Sequence, residues 1–128
     1  MGDVQLDAVY SSPVIEHFHR PRNVGELLPG PGVIRTRAGN RAAGAEVTLS
    51  VRVAAGAVAE VRFKAFGCPH FLAAVSLLTE RLPGLPVEAL AGWNSRDLGR
   101  ELAVPVEKRG RLLILEDAVR AAAQYHAD

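Results

Sequence analysis

Glu46-Val-Thr-Leu-Ser-Val-Arg-Val-Ala-Ala-Gly-Ala-Val-Ala-Glu-Val-Arg-Phe-Lys-Ala-Phe-Gly-Cys-Pro-His70 is the stretch on which the fold turns. Val47, Leu49, Val51 and Val53 alternate with Glu46, Thr48, Ser50 and Arg52, the period-2 pattern of a half-buried strand. Ala55-Gly56 closes a hairpin, and Val61, Phe63 and Ala65 alternate with Glu60, Arg62 and Lys64 on the return strand. One wet face marks a small antiparallel sheet. The return strand runs into Phe66-Gly67-Cys68-Pro69-His70, a strand-to-helix junction. Gly67 allows a sharp turn, and Pro69 suits the first helical position, where its missing N–H costs nothing. Cys68 then falls at the N-cap, beside unpaired helix amides that stabilise a thiolate. His70 offers an imidazole near the same space. The junction is a candidate for thiolate or metal chemistry, although a single thiolate is a poor metal site without help.

Working outward, Ser11-Ser12-Pro13 is a helix start with Ser12 as N-cap and Pro13 at the first helical position. The helix carries Val14, Ile15 and Phe18 and stops before Pro21. Residues 21 to 32, with three prolines and three glycines, form a loop. A short strand is expected over Val33–Arg37, and an exposed turn from Gly39 to Gly44. The helix after Cys68 buries Phe71, Leu72, Val75, Leu78 and Leu82. Pro86 opens a short helix through Leu90, Ser95 caps another through Leu102, and Val104-Pro105 is an extended connector. Leu112, Leu115, Val119 and Ala122 form the apolar face of a last helix reaching about Tyr125. The fold class is α+β: residues 1–9 are expected to be a flexible N-terminal segment and 10–128 one domain.

Composition bounds the rest. In 128 residues, Lys+Arg 15 against Asp+Glu 14 leaves no net field of the kind that draws nucleic acid or an anionic membrane. One cysteine excludes an internal disulfide framework, which points to a reducing compartment. No run reaches membrane-spanning length and no signal-like start is present, so a cytoplasmic location is expected.

Three separated motifs now fall in a known order. Tyr10-Ser-Ser-Pro-Val-Ile-Glu-His-Phe-His-Arg-Pro-Arg-Asn-Val-Gly25 resembles the N-terminal signature of the IscU/NifU-type iron–sulfur cluster scaffold family. Arg62-Phe-Lys-Ala-Phe-Gly-Cys68 is similar to the strand leading to that family's central cysteine. Glu116-Asp117-Ala118 and the alanine-rich helix after it resemble its C-terminal helix. The resemblance spans residues 10 to 125. It implies a three-stranded antiparallel sheet with helices on one face, and a site built from three cysteines and an aspartate on three loops at one end of the sheet. Such a site assembles a 2Fe–2S cluster or holds zinc.

Most of that ligand set is replaced here. The family's first ligand motif falls on Ala42-Ala43-Gly44-Ala45, so both its cysteine and its aspartate are alanine. The second keeps Cys68. The third falls on Gly110-Arg111, which puts a fixed cation in place of a ligand. The segment the family presents to an Hsp70-type chaperone is represented by Val104-Pro-Val-Glu-Lys108. Zinc and 2Fe–2S each need four ligands. Cys68 supplies one and His70 at most a second, so an iron–sulfur cluster or zinc is possible only with ligands from a second chain. Arg109 and Arg111, beside a helix start, are candidates for contact with an anion or partner.

Each of these residues also has a plainer reading. Cys68 can be a small half-buried apolar residue, and His70 an ordinary surface or half-buried side chain. His17 and His19, two apart on a helix, face different ways and make a poor metal pair. Trp93 packs under the short helices, Glu116-Asp117 is structural, and Arg109 and Arg111 can be solvated charges. Two functional classes lead. One is a non-enzymatic scaffold-like protein acting in cluster assembly or sulfur trafficking through Cys68, by a site shared across a homodimer, a site completed by another scaffold subunit, or a persulfide accepted from a cysteine desulfurase. The other is a ligand-free docking or regulatory module that binds assembly partners. An enzyme with Cys68 as nucleophile and His70 as base lacks an orienting third group.

Overall fold

The alternating stretches fold as strands and the 3.6-period stretches cover one of their faces. In the computed structural model, which describes residues 9–127, β1 (Val33–Asn40), β2 (Ala45–Ala54) and β3 (Ala57–Phe66) form an antiparallel sheet in the order β1-β2-β3. The helices are α1 (Ser12–His19), α2 (Pro69–Arg81), α3 (Arg96–Glu101) and α4 (Leu112–Ala127), with 3-10 turns at Arg41–Ala43, Val87–Gly92 and Val106–Arg111. This is the α+β architecture expected. The flexible segment expected over 1–9 lies, apart from Val9, outside the described residues.

Inward-facing Val47, Leu49, Val51 and Val61 meet Phe71, Val75 and Leu78 of α2 and Leu115 and Val119 of α4, all essentially inaccessible to solvent. Burying each such side chain contributes about 1.5–3 kcal/mol. α4 packs on β1 and β2, α2 on β3, and α1 on the outer side of α2. That outer cover explains one departure from expectation. The sequence predicts an amphipathic α2, yet Ala73, Ala74, Ser76, Leu77 and Thr79 are buried along with its apolar face. Their polar groups are satisfied across the α1–α2 seam: His17 Nδ1 lies 2.7 Å from Ser76 Oγ, and the Arg22 amide donates to the same oxygen at 2.8 Å.

The hairpin closes as the sequence implies. Ala54 pairs with Ala57, leaving Ala55 (φ 53°) and Gly56 (φ 77°) as a two-residue turn whose left-handed backbone matches strand twist. A register shift near its mouth pairs Val53 with Val58, leaving Ala59 as an extra residue. Val58 and Val61, three apart, can therefore both face the core.

Three boundaries move. β1 runs three residues beyond the expected Arg37, because Ala38, Gly39 and Asn40 pair with Val47, Glu46 and Ala45 through backbone bonds that need no β-forming side chain. The N-cap of α1 is Ser11 rather than Ser12: its hydroxyl accepts from the Val14 amide at 3.5 Å and donates to the Leu102 carbonyl at 2.7 Å. The segment after Pro86 is a 3-10 turn rather than an α-helix. Ser95 holds the N-cap position of α3 but makes no side-chain capping hydrogen bond; its hydroxyl and amide both donate to Glu116 at 2.9 Å, which gives Glu116 the structural role expected of it.

Candidate functional site

The register sets the site. Glu46 pairs with Phe66, so the turn that enters β2 and the junction that leaves β3 lie at one end of the sheet. Asn40 accepts the Ala43 amide at 2.7 Å through Oδ1, and Gly44 (φ 86°) ends the Arg41–Ala43 turn in the left-handed region. Asn before a short run ending in Gly is the cap signal in the sequence for this turn. Arg41 stacks 4.7 Å above the Phe66 ring and ties this turn to the junction. The Arg111 guanidinium lies over Gly44, 3.5 Å from where a β-carbon there would stand. Lys108 bears electrostatically on His70. The turn at 41–44, the junction at 66–70 and the turn at 106–111 thus meet at one end.

Cys68 is the N-cap of α2, in extended backbone (φ −73°, ψ 167°), with Pro69 following it. Its thiol is half-buried against the core and makes no capping hydrogen bond. The first-turn amides of this 13-residue helix therefore have no acceptor from the side chain of the cap residue. His70 does not sit beside it as a free imidazole. It is 3% exposed, its ring centre is 4.6 Å from that of Tyr10, and its Nδ1 has no hydrogen-bond partner among the described residues. At 3% exposure the ring does not reach the surface where a second chain could share a ligand with it. The neighbouring arginines part company: Arg109 Nε donates to the Val104 carbonyl at 2.9 Å, bracing the connector, while Arg111 reaches the Gly44 turn.

Among the described residues, no group of three His, Cys, Asp or Glu side chains is placed to share a metal ion. The two loops that flank Cys68 contribute Ala43, Ala45 and a guanidinium, none of which can ligate. A cluster or zinc held by this chain alone does not fit the donor set, and no chemistry is derived through one.

The two buried imidazoles make the fold pH-sensitive. Burial, chiefly, holds both His17 and His70 below the ordinary value of 6.5, helped by Arg22 at His17 and by Lys108 at His70; Glu80 and Glu16 oppose it at His17. The folded chain refuses protons that the unfolded chain accepts. Stability from these groups is therefore complete above about pH 6.5 and is lost as the pH falls below it. Thermal denaturation between about pH 7.5 and 5.5 should show a falling midpoint, with a smaller fall in His70→Phe. A flat midpoint over that range would rule out this linkage.

A three-stranded antiparallel sheet whose loops converge around a cysteine at a helix N-cap position defines a class of small α+β scaffold. The family model described as the NifU-like N terminal domain matches residues 9–128, and the chain belongs to that family. It is 35% identical over 115 residues to the iron–sulfur cluster assembly scaffold protein IscU of Azotobacter vinelandii, an alignment covering 88% of this chain and 90% of that one. Identity to iron sulfur cluster assembly protein 1, mitochondrial, of Schizosaccharomyces pombe is 32% over 120 residues. That match covers 92% of this chain and 62% of the relative, so the chain spans less than two thirds of that relative's length. The crystal structure of the N-terminal part of a nitrogen-fixing NifU-like protein from Brucella abortus shares the fold, with a TM-score of 0.56 at 18% identity over 95% of this chain and 83% of that one.

Proposed function

We propose that this chain is a non-enzymatic scaffold-type protein of iron–sulfur cluster assembly that handles sulfur through Cys68 and holds no cluster by itself. The observation that carries the reading is one half-buried thiol at a helix N-terminus that makes no capping hydrogen bond; the family resemblance implies that Ala43, Ala45 and Arg111 stand where the other ligands would be. One thiol suffices for a persulfide. The Cys68 thiolate attacks the outer sulfur of a persulfide on a donor cysteine, the donor's S–S bond breaks, and the donor leaves as a thiolate while Cys68 carries the S–SH group. No electrons are gained or lost overall. The donor class is a cysteine desulfurase. The burial of His70 against Tyr10 speaks against a homodimer site built from two Cys68 and two His70, whereas a subunit supplying its own cysteines needs only Cys68. Residues 10–128 act as one domain in this reading, in a reducing, cytoplasmic compartment.

The test is incubation of the reduced chain with a cysteine desulfurase and free cysteine, followed by mass spectrometry of the intact protein. A mass gain of one sulfur atom that maps to Cys68 and is absent in Cys68→Ala is expected. No gain in the parent chain sinks the sulfur role.

The second reading, a docking module without metal or sulfur chemistry, draws on the apolar side chains at and near the same end. Phe66, Val106 and Leu113 are 41%, 79% and 55% exposed. It is favoured if Cys68→Ala keeps full affinity for a desulfurase, another scaffold subunit or an Hsp70-type chaperone while the parent chain takes up no sulfur.

A further inference from the structure

The sheet face away from the helices carries its side chains in rows set by strand register: Val33, Arg52 and Glu60, then Arg35, Ser50 and Arg62, then Arg37, Thr48 and Lys64. Arg41 adds a sixth cation at the end of that face, over Phe66. Three carboxylates serve the six cations, each shared by two. Glu26 lies 3.1 Å from Arg35 and 3.7 Å from Lys64, and Glu60 lies 3.2 Å from Arg62 and 3.6 Å from Arg52. Glu46 pairs with Arg37 and stands 3.9 Å from Arg41.

The layering favours the positive charge. The six cationic side chains are 41–74% exposed and the three carboxylates only 17–38%. Among the described residues, six against three leaves the face three positive charges in excess, although the whole chain is formally +1. The near-balanced composition conceals a charge segregated onto one surface. At the centre of the face, Ser50 is 1% exposed, its hydroxyl has no hydrogen-bond partner among the described residues, and the register places Arg35 and Arg62 on either side of it.

We infer that this open sheet face docks an acidic protein surface. Half-shared guanidiniums retain donors for a second carboxylate, in the forked geometry that carboxylates match. The three recessed glutamates set the choice of partner. Duplex nucleic acid presents a charge about every 1.7 Å along its axis and would bring phosphates against Glu60 and Glu46 as well as the arginines. Carboxylates on a protein can be spaced to the rows of the sheet, which succeed one another about every 6.8 Å along the strands, and meet the cations alone. Apart from Arg41, which reaches the Cys68 end over Phe66, the surface is separate from Cys68, and its role stands whether or not the thiol carries sulfur.

The test titrates the isotope-labelled full chain at low salt with a short peptide alternating glutamate and threonine, read by amide chemical shifts. Expected are shifts at Arg35, Arg37, Ser50, Arg52, Arg62 and Lys64 and none along α4, with affinity that declines as salt is added. The combined variant Arg35→Gln, Arg37→Gln, Lys64→Gln should weaken binding about tenfold or more. Should it fail to fold, Arg37→Gln and Lys64→Gln singly should each weaken binding about twofold to fivefold. The inference is overturned by shifts that miss this face, or by affinity unchanged in these variants. Tighter binding of the face to a DNA oligonucleotide or to phosphatidylserine vesicles than to the peptide overturns it too.

Discussion

Phe71→Ala should lower the unfolding free energy by about 3–5 kcal/mol, the range for truncating a fully buried aromatic. Phe71 is 1% exposed in the first turn of α2, where it faces the inner side of β2 and β3. Its second contact makes the substitution more than a core deletion. A β-carbon at Gly67 would stand 2.7 Å from Phe71 Cδ2 and 3.2 Å from its Cβ and Cγ, so the ring lies directly against the glycine that turns the chain into Cys68. Removing the ring leaves a cavity and also takes away the support beneath the junction. Urea denaturation should show the loss of stability, and alkylation of Cys68 by a maleimide should be faster than in the parent chain under conditions where both are folded. Phe71→Leu, which refills most of the volume, should cost less on both counts. An unchanged denaturation midpoint in Phe71→Ala would refute this account of the junction.

The hairpin was legible because, outside the extra residue Ala59, its residues alternate in step with their partners, and the Ala55-Gly56 turn stands between two strong runs. α4 was legible from Leu112, Leu115, Val119 and Ala122, all of which are buried. The end of β1 was not legible, since Ala38-Gly39-Asn40 has little strand propensity and is held by the pairing of β2. The site divides in the same way. Gly67-Cys68-Pro69 announces a helix cap from three adjacent residues, and the structure places Cys68 there. The fate of His70 depends on Tyr10, sixty residues earlier in the chain, and no local pattern reports that contact. Arg109 and Arg111 look alike in sequence, yet the 3-10 turn between Val106 and Arg111 sends one to the Val104 carbonyl and the other to Gly44. The charges of the sheet face were each visible, at alternating positions 35, 37, 62 and 64. Their excess was not, because a sum over the whole chain averages it away.

Gly39→Ala should cost about 2–5 kcal/mol although it adds one methyl group to an exposed position. Gly39 has φ +76°, where a β-carbon costs about 1–2 kcal/mol in any surroundings. The space is also taken. The added carbon would stand 2.2 Å from the Ala45 carbonyl oxygen and 3.0 Å from Ile114 Cγ2. The oxygen belongs to the backbone of β2 and cannot swing aside, so strands or turn must shift, an overpacking cost of about 1–3 kcal/mol. What shifts is the entry to the site. Asn40 caps the Arg41–Ala43 turn, Arg41 stacks on Phe66, and Gly44 lies under Arg111, all within five residues of the substitution. The loss of stability should therefore come with altered amide shifts at residues 41–46 and 66–68. Gly30→Ala is the control: φ there is not positive, no atom lies within 4 Å of the added carbon, and the expected change is within about 0.5 kcal/mol. Equal effects at Gly39 and Gly30 would mean that the close passage of β1 under the Ala45 carbonyl does not hold the turn in place.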